Sequence, residues 1–268
     1  MIKLLRKLGY YTYSLFEIVI GFKNWPAVFS VFLRRHGSEP QIVRLRRPPV
    51  DYYVRSAMDV WSIKETYLDG FYIRIGEPVQ DGWVVVDIGA GIGDFCIQAA
   101  YGNPNTIVYA FEPYAGSFNL LKRNLSKNGI GNVRVFQTAI WHEDGDLKLD
   151  LSAGEPLQFS SVEPGKNESA LPFDTVSALS LASFIKHENI SRIDLLKLDC
   201  EGAEYDIFLS VPSKVLSLID RIVMEYHEID DQKNHHHLAG FLSEQGYQVR
   251  IKKNAVHDEL GYLYAFRI

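Results

Sequence analysis

Cysteines and long apolar runs are both scarce in this sequence. Its 268 residues include only two cysteines, Cys96 and Cys200, which excludes a scaffold held by several disulfides and makes a cysteine-based zinc site unexpected. Residues 8–22 form the longest apolar stretch, but Glu17 interrupts it and no small-residue cleavage site follows before Trp25. A secretory signal and a membrane span of about 18 apolar residues are therefore not expected. A reducing cytoplasm is the expected location.

Composition and charge indicate a folded protein with two unlike parts. Hydrophobic residues make up 47% of the chain and charged residues 23%, as in ordinary globular proteins. Residues 1–50 carry nine Lys and Arg against two acids (+7), whereas residues 51–268 carry 19 against 31 (−12). We therefore predict a basic N-terminal segment, residues 1–50, followed by one main domain, residues 51–268.

The N-terminal segment has apolar residues at helical spacing. The pattern over residues 4–35 predicts two amphipathic helices, interrupted near Gly21 and Pro26. The basic and proline-rich residues 44–49 predict an extended linker at the boundary between the two parts. We expect the segment to pack on the main domain or on a second subunit, with contact to a membrane surface as the alternative. No nucleic-acid-binding module is recognisable, so no nucleic-acid partner is expected.

The main domain alternates strand patterns with helix patterns. Residues 83–88 are a continuous β-branched run, typical of a parallel strand that is buried on both faces. Similar runs predict strands at 106–111, 133–137, 193–198, 219–225, 247–251 and 262–268, and helical patterns occupy 94–101, 115–128, 180–188, 203–209 and 234–245. A hairpin-like insertion is expected within 145–178. This order predicts an α/β fold with a doubly wound sheet and helices on both faces.

A glycine-rich turn follows the first strand of this sheet. The glycines between Asp87 and Gly93 allow a tight turn and a close approach of the backbone to a ligand. The carboxylate of Asp87 disfavours a pyrophosphate and suits a cationic ligand such as S-adenosylmethionine. Glu112 and Pro113 end the next strand, where an acid can accept hydrogen bonds from ribose hydroxyls.

Three carboxylates come together where a later strand becomes a helix, namely Asp199, Glu201 and Glu204. Helix capping explains one acid at such a position, since a carboxylate is stabilised near a helix N-terminus, but it does not explain three beside a glycine. We therefore predict a functional site there. His227 faces the same side of its strand as Glu225 and is a further candidate base, with a structural hydrogen-bonding role as the alternative.

These motifs resemble a known family. The segments that carry the resemblance are Val85-Val86-Asp87-Ile88-Gly89-Ala90-Gly91-Ile92-Gly93, Tyr109-Ala110-Phe111-Glu112-Pro113, Leu120-Leu121-Lys122-Arg123-Asn124-Leu125 and Ile193-Asp194-Leu195-Leu196-Lys197-Leu198-Asp199-Cys200-Glu201-Gly202-Ala203-Glu204. They are similar to the FkbM family of S-adenosylmethionine-dependent methyltransferases, from about residue 52 to residue 228. The resemblance implies a Rossmann-like seven-stranded methyltransferase sheet and O-methylation, often of a sugar or polyketide hydroxyl. The family usually has Asn where Gly91 stands.

The resemblance implies that Asp87, Gly89, Glu112 and Asp199 line the cofactor pocket, and the motifs themselves lead to the other roles. The residues expected to bind the cofactor are Asp87, Gly89, Ala90, Gly91, Glu112, Pro113 and Asp199. Glu201 is expected to act as the general base, with Asp199 orienting the cofactor and His227 as the alternative base. The expected acceptor is a small molecule or a glycan, and the oligomeric state is left open.

Two other classes of function and one further motif complete the predictions. A dinucleotide-dependent oxidoreductase also uses a glycine turn, although Asp87 argues against it, and a non-catalytic binding protein on the same fold is the second alternative. The run His235-His236-His237 is expected to be a solvated helix start. Successive side chains point in different directions, so no metal site is expected there.

Overall fold

The computed structural model describes residues 2–34, 39–154, 156, 160–161, 172–254 and 256–267. Its α-helices are α1 Ile2–Gly21, α2 Trp25–Phe32, α3 Ala57–Lys64, α4 Phe71–Ile75, α5 Asp94–Ala100, α6 Ala115–Lys127, α7 Leu181–His187, α8 Glu204–Ser210, α9 Ser213–Leu216 and α10 His235–Glu244. A π-helical turn, Glu65–Asp69, joins α3 to α4. Its strands are β1 Gln41–Arg44, β2 Asp51–Val54, β3 Val84–Ile88, β4 Ile107–Phe111, β5 Val133–Phe136, β6 Ala139–Trp141, β7 Gly145–Asp150, β8 Ser160–Ser161, β9 Phe173–Ser180, β10 Leu195–Leu198, β11 Arg221–His227, β12 Gln248–Lys253 and β13 Leu260–Phe266.

A seven-stranded sheet forms the centre of the molecule, which confirms the predicted fold class. Its strand order is β12-β13-β11-β10-β3-β4-β5. The pairs from β11 to β5 are parallel, whereas β13 runs antiparallel to both β11 and β12. The order reverses between β10 and β3, and open α/β sheets bind ligands at such a point, outside the carboxyl ends of the strands.

Helices cover both faces of this sheet because its central strands are apolar on both sides. Alternate residues of β3 belong to different cores, since Val85 packs on one face and Val86 on the other. The first core contains apolar residues of α1, α2, α5 and α6. The second contains residues of α7, α8 and α10. The sheet and the ends of its strands are therefore fixed from both sides.

The predicted linker at residues 44–49 is wrong. Strands β1 and β2 pair antiparallel, with Arg44 opposite Asp51, so residues 45–50 form the turn of a hairpin that spans the predicted boundary at residue 50. Leu45 and Val50, at the two ends of this turn, are fully buried. The basic and proline-rich composition indicated a solvated connection, but these apolar side chains draw the turn into the core.

The hairpin is anchored by two asparagine side chains of α6. Asn128 accepts a hydrogen bond from the backbone N–H of Asp51 at 2.9 Å, and Asn124 accepts one from Tyr53 at 2.7 Å. Asn124 also donates to the carbonyl of Ile92 in the glycine-rich turn at 2.9 Å. One buried amide thus connects the N-terminal hairpin to the turn that follows β3.

The insertion between β5 and α7 contains the predicted hairpin within a larger sheet that begins before residue 145. Strands β7 and β9 form an antiparallel pair, and β6 and β8 complete a four-stranded sheet in the order β6-β9-β7-β8. Residues 162–171 of the insertion lie outside the described residues.

None of the helices in the described part of the chain is both long enough and apolar enough to cross a membrane.

Candidate functional site

A cavity of about 430 Å³ lies at the carboxyl ends of the parallel strands. Its wall combines the turns after β3, β4, β10 and β11 with residues of α3, the insertion and the segment before β13. The lining residues from the strand ends include Gly89, Gly91, Glu112, Pro113, Asp199, Glu201, Glu225 and His227. Seven of the nine residues predicted for cofactor binding or catalysis are in this set, including His227, the alternative base. The sequence motifs therefore converge on one site.

The glycine-rich turn is held against the end of β10. Gly89 has φ +73°, and a Cβ atom there would lie 1.8 Å from the carbonyl oxygen of Asp199. The backbone N–H groups of Gly89 and Ala90 both donate to the carbonyl of Phe111, at 3.1 and 2.9 Å. Glycine is required at position 89 for both its backbone angle and its lack of a side chain.

Glu112 supports the same turn from the next strand. Its carboxylate accepts hydrogen bonds from the backbone N–H groups of Gly91, at 2.8 Å, and Tyr114, at 2.9 Å. Burial raises the pKa of Glu112 to about 7, although these two hydrogen bonds act in the opposite direction. Each oxygen keeps a second lone pair for a ligand hydroxyl. Gly91 has φ +53°, a left-handed conformation that glycine adopts without strain.

Asp87 and Ala90 differ from their predicted placement. Both side chains are buried, at 0% and 2% exposure, and neither is among the residues that line the cavity. Asp87 lies within β3, where both faces of the sheet are covered, and its carboxylate is 3.0 Å from the ammonium of Lys197. We therefore place Asp87 beneath the glycine-rich turn rather than against a ligand.

Lys197 is a site residue that the sequence analysis did not identify. Its Nζ donates to the carbonyl of Gly89 at 2.8 Å and lies 3.9 Å from a carboxylate oxygen of Asp199. Burial alone would lower the pKa of this ammonium, but Asp87, Asp199 and Asp94 outweigh burial and raise it. The fixed positive charge holds the turn after β3 and the end of β10 in one arrangement. The only sequence signal was a lysine inside an apolar strand.

Asp199 is positioned by two side chains from different parts of the chain. The hydroxyl of Tyr72, in α4, donates to its Oδ2 at 2.8 Å. The Nζ atom of Lys197 lies 3.9 Å from the same oxygen. Asp199 lines the cavity immediately after β10. Its orientation is therefore fixed before any ligand binds.

Glu201, His227 and Glu204 form a line of alternating charge beside the cavity. The Nε2 atom of His227 is 3.4 Å from Glu201, and its Nδ1 atom is 3.4 Å from Glu204. Burial by itself would lower the pKa of His227, but Glu204, Glu201 and Glu225 raise it to about 10. Burial raises the pKa of Glu201 to about 7, and His227 acts against that rise. At neutral pH His227 is a cation, so it is not a proton acceptor.

Glu204 holds both His227 and the backbone around Glu201 in place. It is fully buried, and its Oε1 accepts hydrogen bonds from the backbone N–H groups of Cys200, at 3.1 Å, and Gly202, at 3.3 Å. Glu201 has φ +51°, a left-handed conformation that is uncommon for a non-glycine residue. The bonds to Glu204 hold the backbone on either side of it in this conformation. Of the three predicted carboxylates, Glu204 is structural, while Asp199 and Glu201 line the cavity.

Four further acids line the cavity without having been predicted as site residues: Glu65 in the π-helical turn, Asp94 in α5, Glu225 in β11 and Glu259 before β13. Burial and the neighbouring Asp69 and Asp199 raise the pKa of Glu65 to about 8. Burial together with Asp199 and Glu65 raises the pKa of Glu225 well above its usual value. The ionised forms of these carboxyls repel one another, and a cationic ligand in the cavity would favour their ionisation and be stabilised by it.

The histidine run differs in part from its prediction. Asn234 caps α10, accepting hydrogen bonds from the backbone of His236 and His237, which are exposed as expected. His235 is instead buried, with its Nδ1 hydrogen-bonded to Glu228 and its ring stacked on Tyr226. Within the described residues, no group of three or more His, Cys, Asp or Glu is arranged to hold a metal ion.

Comparison with known proteins places the chain in a family. The family model described as the methyltransferase FkbM domain matches residues 87–249. The chain belongs to the FkbM methyltransferase family. This confirms the resemblance given by the sequence motifs. It also confirms the predicted cofactor, S-adenosylmethionine. The alternative function of a dinucleotide-dependent oxidoreductase is therefore wrong.

Two curated relatives illustrate the family. "Methyltransferase 1" of Beauveria bassiana is 28% identical over 207 residues, which cover 71% of this chain and 81% of that protein. The "31-O-demethyl-FK506 methyltransferase FkbM" of Streptomyces tacrolimicus is 28% identical over 217 residues, covering 71% of this chain and 83% of that protein.

Solved structures of methyltransferases show distant similarity to the chain. The methyltransferase FkbM from Methylobacillus flagellatus KT has a TM-score of 0.48 and 14% identity, covering 78% of this chain and 54% of that one. The magnesium protoporphyrin IX methyltransferase from Synechocystis, solved with bound S-adenosylmethionine, has a TM-score of 0.45 and 12% identity, covering 79% and 83% of the two chains.

The residues of the cavity fit S-adenosylmethionine. This cofactor carries a cationic sulfonium and an ammonium, and the wall offers the carboxyls of Asp199, Glu65 and Glu225. It also carries ribose hydroxyls, for which Glu112 keeps free acceptor positions. The wall therefore combines carboxyl groups, whose ionised forms a bound cation would favour, with the acceptor groups that such a molecule requires.

Proposed function

We propose that this FkbM methyltransferase methylates a hydroxyl group of a small molecule or glycan, with Glu201 as the general base. The observation that carries the proposal is the position of Glu201 on the wall of the cavity, 3.4 Å from Nε2 of His227. Burial of this carboxyl also raises its pKa to about 7. A general base is most effective when its pKa lies near the working pH. Sugars and polyketide-like natural products are the acceptor classes that we infer.

The cofactor end of the cavity is assigned to the turns after β3 and β4. Gly89, Gly91 and Pro113 would lie against S-adenosylmethionine, and Glu112 would accept its ribose hydroxyls. Asp199, fixed by Tyr72, would orient it. Asp87 lies beneath the turn and the side chain of Ala90 is buried in the first core, so neither is assigned a contact with the cofactor. When bound, S-adenosylmethionine supplies an activated methyl group on its sulfonium.

The acceptor end is assigned to Glu201 and its neighbours. A neutral hydroxyl is a weak nucleophile, and it is strengthened when a positioned carboxylate takes its proton as the new carbon–oxygen bond forms. His227 keeps a positive charge beside Glu201, which favours the ionised carboxylate before the reaction and holds its side chain in place. We infer that His227 is a positioning residue and that Glu201 receives the proton.

The name of one relative supports transfer to oxygen. The Streptomyces tacrolimicus protein is named as a 31-O-demethyl-FK506 methyltransferase. The cavity adds a second line of support. Its wall contains Trp61, Leu147 and Leu149 as well as polar groups, so it offers apolar surface to an acceptor of mixed polarity.

The proposal is tested by transfer of a tritiated methyl group from S-adenosylmethionine to a panel of acceptors. The panel contains methyl glycosides and hydroxylated macrolides, each paired with an analogue in which an amine replaces the hydroxyl. We expect label in the hydroxyl compounds only. Label confined to the amine analogues would contradict O-methylation.

A further inference from the structure

Helix α1 has one packed face and one uncovered apolar face. On the packed face, Ile18 lies in the first core, and its side chain is 1% exposed. On the other face, five large side chains are more than half exposed, and we call them the apolar face of α1: Leu8, Tyr13, Leu15, Phe16 and Ile20. Single exposed apolar residues are ordinary, but a contiguous set on one helix face marks an interaction surface.

The segment that carries the apolar face is basic. Residues 1–38 contain six Lys and Arg and a single acid, Glu17. That acid is turned inward, where its carboxylate lies 3.1 Å from the ammonium of the fully buried Lys64. Arg6 precedes the apolar face and Lys23 follows it, and both side chains are exposed. An apolar helix face flanked by cations suits a surface that is apolar within and anionic at its boundary.

We propose that the apolar face of α1 docks on the anionic surface of a lipid bilayer. The helix lies along the membrane with Leu15 and Phe16 below the headgroups, while Arg6 and Lys23 contact lipid phosphates. Tyr13 lies at the interface, where amphipathic aromatic rings are favoured. The packed face remains on the protein, so docking requires no unfolding.

Docking also brings the cavity close to the membrane. The ring of Tyr11, on α1, lies 5.8 Å from that of Trp61, which lines the cavity. Arg6 lies 3.9 Å from Asp258, in the segment before β13 whose residues His257 and Glu259 also line the cavity. The helix that contacts the bilayer is thus a neighbour of two parts of the cavity wall.

The test is co-sedimentation of the full chain with vesicles, which requires no methyl acceptor. One set contains equal parts of phosphatidylglycerol and phosphatidylcholine, and the other contains phosphatidylcholine alone. We expect strong binding to the anionic vesicles, weak binding to the neutral ones, and release as the salt concentration rises. Equal binding to both sets, or no binding to the anionic set, would overturn the proposal.

Two matched pairs of variants locate the surface. Phe16→Glu should weaken vesicle binding by about tenfold or more, because a charge replaces an aromatic ring that the bilayer would bury. Leu209→Glu changes a comparably exposed residue of α8 and should not weaken it. Lys23→Glu should weaken it roughly fivefold or more, whereas Lys214→Glu, in α9, should not. Circular dichroism and cofactor titration confirm that each variant is folded. Equal losses in a variant and its control would contradict the assignment to α1.

Sedimentation velocity without lipid tests a competing occupant. The proposal expects the full chain and Phe16→Glu to have the same oligomeric state. A dimer that Phe16→Glu dissociates, together with absence of vesicle binding, would overturn the proposal and assign the apolar face of α1 to a second copy of the chain.

Discussion

The imidazole Nε2 of His227 lies 3.4 Å from the carboxylate of Glu201. Because the pKa of His227 is raised to about 10 and that of Glu201 to about 7, the pair carries a constant positive partner and a carboxyl that titrates near neutrality. The two candidate bases of the sequence analysis are therefore not equivalent. Glu201 can exchange a proton near neutral pH, and the positive charge of His227 lowers the pH at which it does so.

Replacing Glu201 with Gln should lower turnover without a large change in cofactor affinity. The amide keeps the shape of the side chain but cannot accept a proton, and a positioned base contributes about 10²–10⁴-fold to such reactions. The measurements are methyl-transfer kinetics and calorimetric titration with S-adenosylmethionine. Glu143→Gln, at an exposed position, is the control. Near-normal turnover of Glu201→Gln would remove Glu201 from the reaction.

The rate should increase with pH through about 7, because Glu201 accepts a proton only when it is ionised. Replacing His227 with Gln removes the positive charge that lowers the pKa of Glu201, so the rising part of the profile should move to higher pH. His236→Gln, at an exposed site on α10, should leave the profile unchanged. An unshifted profile in His227→Gln would show that this histidine does not act through Glu201.

Replacing Glu112 with Ala should weaken both cofactor binding and the fold. Loss of the acceptor for ribose hydroxyls should reduce affinity by about 1–3 kcal/mol, and the buried N–H groups of Gly91 and Tyr114 lose their partner as well. Glu77→Ala is the control, since Glu77 pairs with Arg221 outside the cavity. It should lower the free energy of unfolding only. Unchanged cofactor affinity in Glu112→Ala would exclude Glu112 from the cofactor site.

The buried charge of Lys197 should be needed for stability. Lys197→Met leaves the carboxylate of Asp87 buried without its cation, which should lower the free energy of unfolding by about 3–5 kcal/mol in urea denaturation. The double variant Lys197→Met with Asp87→Asn should recover part of this loss, because it removes the uncompensated charge. A double variant less stable than the sum of its single changes would argue against the pairing.

The local pattern of residues was sufficient to predict the elements of the main sheet. The run at 83–88 became β3 because its β-branched side chains fit a strand buried on both faces, and the helices that follow have clear periodicity. The hairpin of β1 and β2 was missed because each strand has four residues and its pairing depends on packing against α6. Local propensity carries little information about such short strands.

The site was only partly predictable for a related reason. Lys197 and Asp87 are opposite each other in the register of β10 and β3, but 110 residues separate them in sequence and the order of strands is not encoded locally. Glu65 lies in a π-helical turn, for which the sequence gave no signal. The motifs identified residues near the ends of strands, whereas their charged partners became visible only after the sheet was assembled.

The contact between Gly89 and the carbonyl of Asp199 limits how this protein can vary. Any side chain at position 89 would collide with the backbone of the other loop, whatever residue occupies position 199. A compensating change at one position is therefore insufficient, and an evolved or engineered variant must move both loops together. We therefore expect changes in acceptor specificity to occur in other parts of the wall, the insertion and the segment before β13.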